Sequence, residues 1–469
     1  MDNNRNVDYS KIVVGLDIGT TKVACFIGQR DENNPGKIKI LGYYKDKSEG
    51  VARGEVKNIL EASKTIRNVV AEAARMANCP VREVYVGIAG QHVKSMPCRG
   101  DITIPKDHDL ITQGDVDNLI EDQRTILFNR PEVEIIHIVP QRYYVDDEEL
   151  QSNINPVGVP GRKLGANFHI VTGNTAAIKN IKRSVEMADL KIKGVCLEPI
   201  ASAEAILTAA DRQTGTAIID IGGGTTDVAI FTKNVIRYTT VIPLAGESIT
   251  SDIENGCNIL PTQAEILKTT HGTCLPDEIQ KDAILSIKHT SPGHAPVEIS
   301  LKNLASIIKA RTENIIDLIW LSLNESRVSD KLGGGIVLTG GGSKLQGIAQ
   351  YMSYKTGLET RIGYPTEYLV SDGKIKEFSD PIFSTCIGLV LRGFKEVEEF
   401  ERKQPARSAI EDILDNQEPV GENGGQEKET TQKNQTADLD KNTDSDQHLT
   451  MFGKISSWLK NALIDNEDM

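Results

Sequence analysis

Between residues 11 and 400, short apolar runs alternate with stretches in which apolar residues recur every three or four positions. That alternation predicts strands interleaved with helices, an α/β architecture. Strands are predicted over 12–16, 23–27, 84–88, 168–171, 217–221, 228–231 and 336–338, and helices over 61–76, 175–188, 200–208, 301–323 and 345–356. From Glu401 the pattern stops. No Phe, Trp or Tyr occurs between Glu401 and Met451, and Gln, Asn, Glu, Asp, Gly and Thr dominate. Such a stretch cannot bury enough apolar surface to offset its chain entropy, so 401–449 is predicted to be a disordered linker. Periodicity returns at the end. Met451, Phe452, Ile455, Trp458, Leu459, Ala462 and Leu463 fall on a single face of a predicted amphipathic helix over 450–464, with Lys454 and Lys460 beside that face.

Charge sharpens this division. The 469 residues carry a net −13, and eleven acids against three lysines in 411–449 account for eight of those charges. An acidic chain argues against nucleic acid as a partner, since phosphate contacts need a basic surface. The seven cysteines are scattered, with no CxxC, which suits reduced thiols better than a disulfide framework or a zinc site. No signal-peptide pattern opens the chain, and no run reaches the ~18 apolar residues of a membrane span. The expectation is a soluble intracellular protein that touches a membrane only from its surface. The terminal helix has the residues for that. Phe452, Ile455, Trp458, Leu459, Ala462 and Leu463 would enter the acyl boundary, with Lys454 and Lys460 near anionic lipid. One such helix binds weakly, and polymerisation would multiply it. A linker of about fifty residues would reach ~40 Å.

The candidate chemistry lies in two segments that resemble each other, IVVGLDIGTTKVACFI (12–27) and AIIDIGGGTTDVAIF (217–231). Each reads as strand, Asp-Ile-Gly, Thr-Thr, strand: a hairpin whose turn lacks bulky side chains, so backbone N–H groups can approach an anion. Asp17 and Asp220 end the incoming strands, where a carboxylate can hold Mg²⁺ through water. A third element, IVLTGGGSKLQGI (336–348), reads as strand, glycine turn and helix, suited to a nucleoside and to anion contact at a helix N-terminus. The chain has no GxxxxGK[ST] and no GxGxxG after a strand.

These three elements, with CLEPIASAEA (196–205) and FSTCIGLVL (383–391), resemble the five shared elements of the actin, sugar-kinase and chaperone superfamily. VYVGIAGQHVKS (85–96), INPVGVPGRKLGANFHIVTG (154–173) and the tail FGKISSWLKN are similar to one branch, the FtsA family of bacterial cell-division proteins. The resemblance implies an actin-like two-lobed α/β fold with a family-specific inserted α+β subdomain. It implies a subdomain 1A over 11–84, 166–198 and 371–397, the inserted subdomain 1C over 85–165, 2A over 199–243 and 305–370, and 2B over 244–304. Its cofactors would be ATP and Mg²⁺. Asp17 and Asp220 would position the metal through water. Gly19, Thr20, Thr21 and Lys22 would hold phosphates from one side, and Gly222, Gly223, Gly224 and Thr225 from the other, joined by Gly246. Gly341, Gly342 and Ser343 would line the adenosine. Glu265 and Lys268 would reach ribose and base, and Glu198 would orient the hydrolytic water. At most slow hydrolysis is implied.

The resemblance further implies a head-to-tail filament on the cytoplasmic face of the membrane at the division site. There it would anchor the ring of tubulin-like FtsZ, take the FtsZ C-terminal peptide on 2B, and recruit later division proteins. The segment 274–300 departs from the commoner family pattern where that peptide would dock. A small-molecule kinase of the same superfamily would need a substrate-side base and leaves the tail helix unexplained. A heat-shock chaperone would need a β-domain after residue 400. The inserted segment argues against the cell-shape homologue, and the terminal helix against the pilus-assembly one. His92, His137, His169 and His271 have no metal-like spacing and read as surface or hydrogen-bonded residues. Cys25, Cys196, Cys386 and Trp320 read as core.

Overall fold

Two five-stranded sheets of the same plan organise the chain. In the computed structural model, residues 11–403 are described apart from residue 35 and segments 107–108, 127–129, 152–154, 289–294 and 371–374. The first sheet runs in the order Lys191–Leu197, Glu83–Ile88, Ile12–Ile18, Lys22–Arg30, Ile38–Lys47. The second runs Thr360–Ile362, Ile336–Thr339, Thr216–Ile221, Thr226–Thr232, Val235–Ile242. In both, an antiparallel three-strand meander continues into two parallel strands on the side of its first strand. The central strands are almost wholly buried, with the near-continuous apolar runs expected where both faces of a sheet are covered.

Helices cover those faces. Ile59–Ala77 packs on the first sheet; Asn58 caps its start by accepting from the Leu60 and Glu61 amides, and Asn78 ends it at φ 50°. Leu301–Glu325 and Ile348–Thr356 close the second core. Between the sheets lie Glu198–Ile206 and Ser384–Lys403, in one core with Phe26, Ile218 and Val337. They cross where Gly388 meets Ala201: a Cβ on Gly388 would stand 1.7 Å from the Ala201 carbonyl oxygen.

A separate four-stranded sheet leaves this frame after Ile88, in the order Lys94–Thr103, Lys163–Asn174, Val133–Val145, Glu148–Glu149. Helix Gln113–Ile126 covers it, and Leu119, Leu164 and Phe168 centre its own small core.

Every strand and helix predicted between residues 11 and 400 is present, with shifted ends. The helix predicted over 200–208 occupies Glu198–Ile206, directly after a strand that ends at Leu197. The helix predicted from 345 begins at Ile348, because Gly347 at φ +85° cannot continue one; Gly341–Lys344 form a 3-10 turn. The helix ending in Lys403 runs three residues into the predicted linker. Trp320 is only half-buried at the edge of the second core. Cys25, Cys196 and Cys386 are buried, as expected. The remaining linker and the terminal helix, with Phe452, Lys454, Ile455, Trp458, Leu459, Lys460, Ala462 and Leu463, lie outside the described residues. No helix among the described residues is long and apolar enough to cross a membrane.

Candidate functional site

The two glycine hairpins are superimposable in their local bonding. The Gly19 amide donates to the Lys22 carbonyl at 3.0 Å, and the Gly222 amide to the Thr225 carbonyl at 2.9 Å. A Cβ on either glycine would lie 3.1 Å from that same carbonyl oxygen. The two turns face each other: a Cβ on Gly223 would sit 1.9 Å from Thr21 Oγ1, and one on Gly224 2.4 Å from Thr20 Oγ1. The tips therefore approach to a distance only glycine permits.

Behind the tips, four acids and one cation converge. Lys22 Nζ donates to Asp17 Oδ2, and both strands of the hairpin deliver these groups to one end of the sheet. Burial works against the Lys22 ammonium, and the Asp17 charge and hydrogen bond outweigh it, so its pKa rises. Asp220 accepts from Ser202 Oγ at 2.7 Å and Thr385 Oγ1 at 3.1 Å, one hydroxyl from each inter-sheet helix. Burial raises its pKa, with the Ser202 bond opposing. Asp227 stands directly opposite Asp220 in register and accepts from Thr225 Oγ1 at 2.9 Å, while its Oδ1 is buried without a partner. Burial, then the charge of Asp220, pushes its pKa up to about 8. Glu198 opens its helix beside Gly87; burial, then Asp17, Asp227 and Asp220, raises its pKa well above the carboxylate range. Burial and mutual repulsion favour the neutral forms of Asp220, Asp227 and Glu198, and a cation among them would favour the charged ones.

The other predicted residues are distributed around this centre. The Gly246 amide donates to the Gly222 carbonyl at 3.1 Å, and the Gly246 carbonyl accepts from Lys268 Nζ at 2.9 Å. Lys268 also donates to Glu265 Oε2 at 2.7 Å and Thr250 Oγ1 at 2.7 Å, so Glu265 and Lys268 are tied to the second hairpin as one knot. The turn of Gly341, Gly342 and Ser343 reaches the acids through Gly340, whose absent Cβ would lie 2.2 Å from Asp220 Oδ1. Ser343 is buried and its hydroxyl donates to the Gly340 carbonyl at 2.7 Å, so it shapes the turn from within. A cavity of about 670 Å³ opens beside Ser343 and Lys344, with Lys376 and Asp380 on its wall.

Asp227 escaped the sequence reading although counting back from the turn pairs it with Asp220; Ser202 and Thr385 carried no signal of their own. Of the histidines, His137 accepts from the Leu197 amide at 3.0 Å and His169 bonds Thr239 Oγ1 at 2.9 Å. His271 is exposed. His92 departs from expectation: both ring nitrogens are buried with no hydrogen-bond partner among the described residues.

Paired hairpins at the facing ends of two equivalent sheets, with buried carboxylates between them, define the class of two-lobed actin-like proteins. The PilM-PilN type IV pilus biogenesis complex shares the fold at TM-score 0.59 and 16% identity, covering 81% of this chain and 98% of that one. MreB 5 of Spiroplasma citri, solved bound to AMPPNP, does so at TM-score 0.51 and 15% identity, covering 84% and 99%. The family model described as cell division protein FtsA matches residues 217–388, and the SHS2 domain inserted in FtsA matches 90–172. The cell division protein FtsA of Escherichia coli (strain K12) is 32% identical over 391 residues, 82% of this chain and 90% of the relative. The chain belongs to the FtsA family of cell-division proteins.

Proposed function

We propose that this protein binds ATP with Mg²⁺ between its two lobes, polymerises head-to-tail on the cytoplasmic face of the membrane, and anchors the FtsZ ring there. The observation that carries the nucleotide reading is the matched pair of glycine turns with buried carboxyl groups gathered behind them. The donor set fits the metal: Asp17, Asp220 and Asp227 supply hard oxygens, and Asp227 Oδ1 is buried without a hydrogen-bond partner. Among the described residues no three such side chains gather closely enough to ligate an ion directly, so they would act through its waters. Bound there, Mg²⁺ would neutralise phosphate charge. The chain's own part is positional: the amides of Gly19–Thr21 and Gly222–Thr225 would cradle phosphates, and Lys22 would add a charge from the first lobe. Gly341 and Gly342 would line the adenosine, with Glu265, Lys268 and Gly246 at the ribose. Glu198 would orient a water for slow hydrolysis.

The inserted sheet and the family match over 90–172 support the proposed subdomain 1C, and residues 244–304 would form the subdomain that takes the FtsZ peptide. The amphipathic sequence at 450–464 supports attachment to anionic lipid, and the family's role supports recruitment of later division proteins. The test is co-sedimentation of the full chain, and of a version ending at Asp446, with anionic vesicles and Mg·ATP, with the pellets imaged by electron microscopy. The full chain should pellet as filaments on lipid while the shortened one stays in solution. A full chain that ignores lipid overturns the anchoring reading.

A further inference from the structure

A second charged cavity, of about 440 Å³, lies where the inserted sheet meets the edge strand of the second lobe. That volume falls within the ~300–1,000 Å³ usual for small-molecule sites. Its floor is built by register. On the three inserted strands Arg99, Asn167 and Arg142 are direct cross-strand partners, so all three side chains emerge on one face in a row. Arg237, on the edge strand Val235–Ile242 of the second lobe, forms the opposite wall.

Arg237 is held in place from across the boundary. A bulge skips Gln141 in the pairing: Asn167 faces Arg142 and Phe168 faces Pro140. The freed Gln141 accepts from Arg237 Nη1 through its carbonyl at 3.0 Å and its side chain at 2.9 Å, and its amide nitrogen donates to the Ile236 carbonyl. Thr232 Oγ1 accepts from Arg237 Nε at 3.3 Å. Bulges that re-aim one side chain are built features of a sheet.

The charges do not cancel. Arg142 pairs with Glu149 at 3.0 Å and Arg99 with Asp147 at 3.7 Å while lying over the Tyr144 ring. Arg237 hydrogen-bonds only neutral groups among the described residues; burial, then the nearby Arg142 charge, lower its pKa, outweighing the more weakly felt charge of Glu149. A guanidinium fixed by neutral acceptors, with a second one close by, is short of an anion. The planar forks of arginine match phosphate oxygens better than a point charge does.

We propose that this cavity binds the phosphate group of a small soluble molecule, with Arg237, through its remaining Nη2, and Arg142 as its charged donors and Arg99 at the mouth. Because its walls belong to different sheets, an occupant would fix the inserted subdomain against the second lobe. This site is independent of the nucleotide reading.

The test is calorimetric titration of the full chain with pyrophosphate, with glycerol 3-phosphate as a headgroup-like monoester and with citrate, each with and without saturating Mg·AMPPNP. Saturable binding of a phosphate compound that persists with AMPPNP is expected. It should weaken roughly tenfold or more in both Arg237→Gln and Arg142→Gln, since each loses a charge-assisted hydrogen bond. Arg67→Gln, an exposed site elsewhere, should bind as the parent does. Arg142→Gln keeps the Gln141–Arg237 clamp, so its result stands even if Arg237→Gln loosens the subdomain. Pyrophosphate favoured over glycerol 3-phosphate points to a polyphosphate source, and the reverse to a headgroup-like ester. Citrate binding tighter than either, binding abolished by AMPPNP, or binding indifferent to both substitutions overturns the proposal.

Discussion

Asp227 and Glu198 are the acids of the candidate site whose titration burial disturbs most clearly. Both have carboxyl pKa values raised by burial first and by neighbouring acids second. A carboxyl raised in the folded state contributes stability that is complete below its unfolded pKa, about 4. That contribution disappears as pH rises through the folded value, about 8 for Asp227. Nucleotide-free protein should therefore lose melting temperature between about pH 4 and 8, and Asp227→Asn should flatten the decline and melt a few degrees higher at the upper end of that range. Thermal melts across that range check it; a variant as pH-sensitive as the parent overturns it. The same protons make a second prediction. A cation drawn between these carboxylates favours their charged forms, so binding Mg·AMPPNP at pH 7 should release protons. Calorimetry in buffers of different ionisation enthalpy reads that release directly, and Asp227→Asn should reduce it.

Between elements, the contact that decides the architecture is the crossing of Glu198–Ile206 with Ser384–Lys403. A methyl on Gly388 would meet the Ala201 carbonyl at 1.7 Å, which is backbone and cannot rotate away. Gly388→Ala should cost ~1–3 kcal/mol through overpacking, although alanine is ordinarily the better helix former. Gly114→Ala, in a helix where the nearest atom is Thr112 Oγ1 at 3.6 Å, should be neutral or stabilising. Denaturant midpoints compare the two. This contact also marks what the amino-acid pattern could and could not announce. The hairpins were legible because each joins two apolar runs through a glycine turn, a local signal. Gly388 reads as a mere interruption of an apolar helix until its partner, nearly two hundred residues earlier, is placed against it. The long strands Lys94–Thr103 and Val133–Val145 went unread because their positions are mostly half-buried and mixed in polarity. Their pairing with Lys163–Asn174 supplies what periodicity lacks. Asp227 lay in plain view, but its meaning is a matter of register.

At the scale of the whole molecule, the duplicated sheets bring their hairpin tips so close that the lobes bear on each other through glycines. The two contacts are unequal. A Cβ on Gly223 would meet Thr21 Oγ1, the end of an exposed side chain that can rotate away. A Cβ on Gly224 would meet Thr20 Oγ1 and also the Arg53 Cα at 2.8 Å. That backbone is hemmed in independently of Thr20, since the neighbouring Gly54 packs so closely on Gly90 that a Cβ there would lie 2.8 Å from the Gly90 Cα. If nucleotide is held by closure of the lobes, Gly224→Ala should wedge them apart and weaken Mg·AMPPNP roughly tenfold or more. Gly223→Ala should cost less. Removing the opposing hydroxyl separates the mechanisms. Thr21→Ala should restore binding to Gly223→Ala, whereas Thr20→Ala should not restore it to Gly224→Ala, because the Arg53 backbone still stands in the way. Equal losses in both glycine variants, relieved by neither threonine substitution, would mean that the turns contact nucleotide without the lobes needing to close on it.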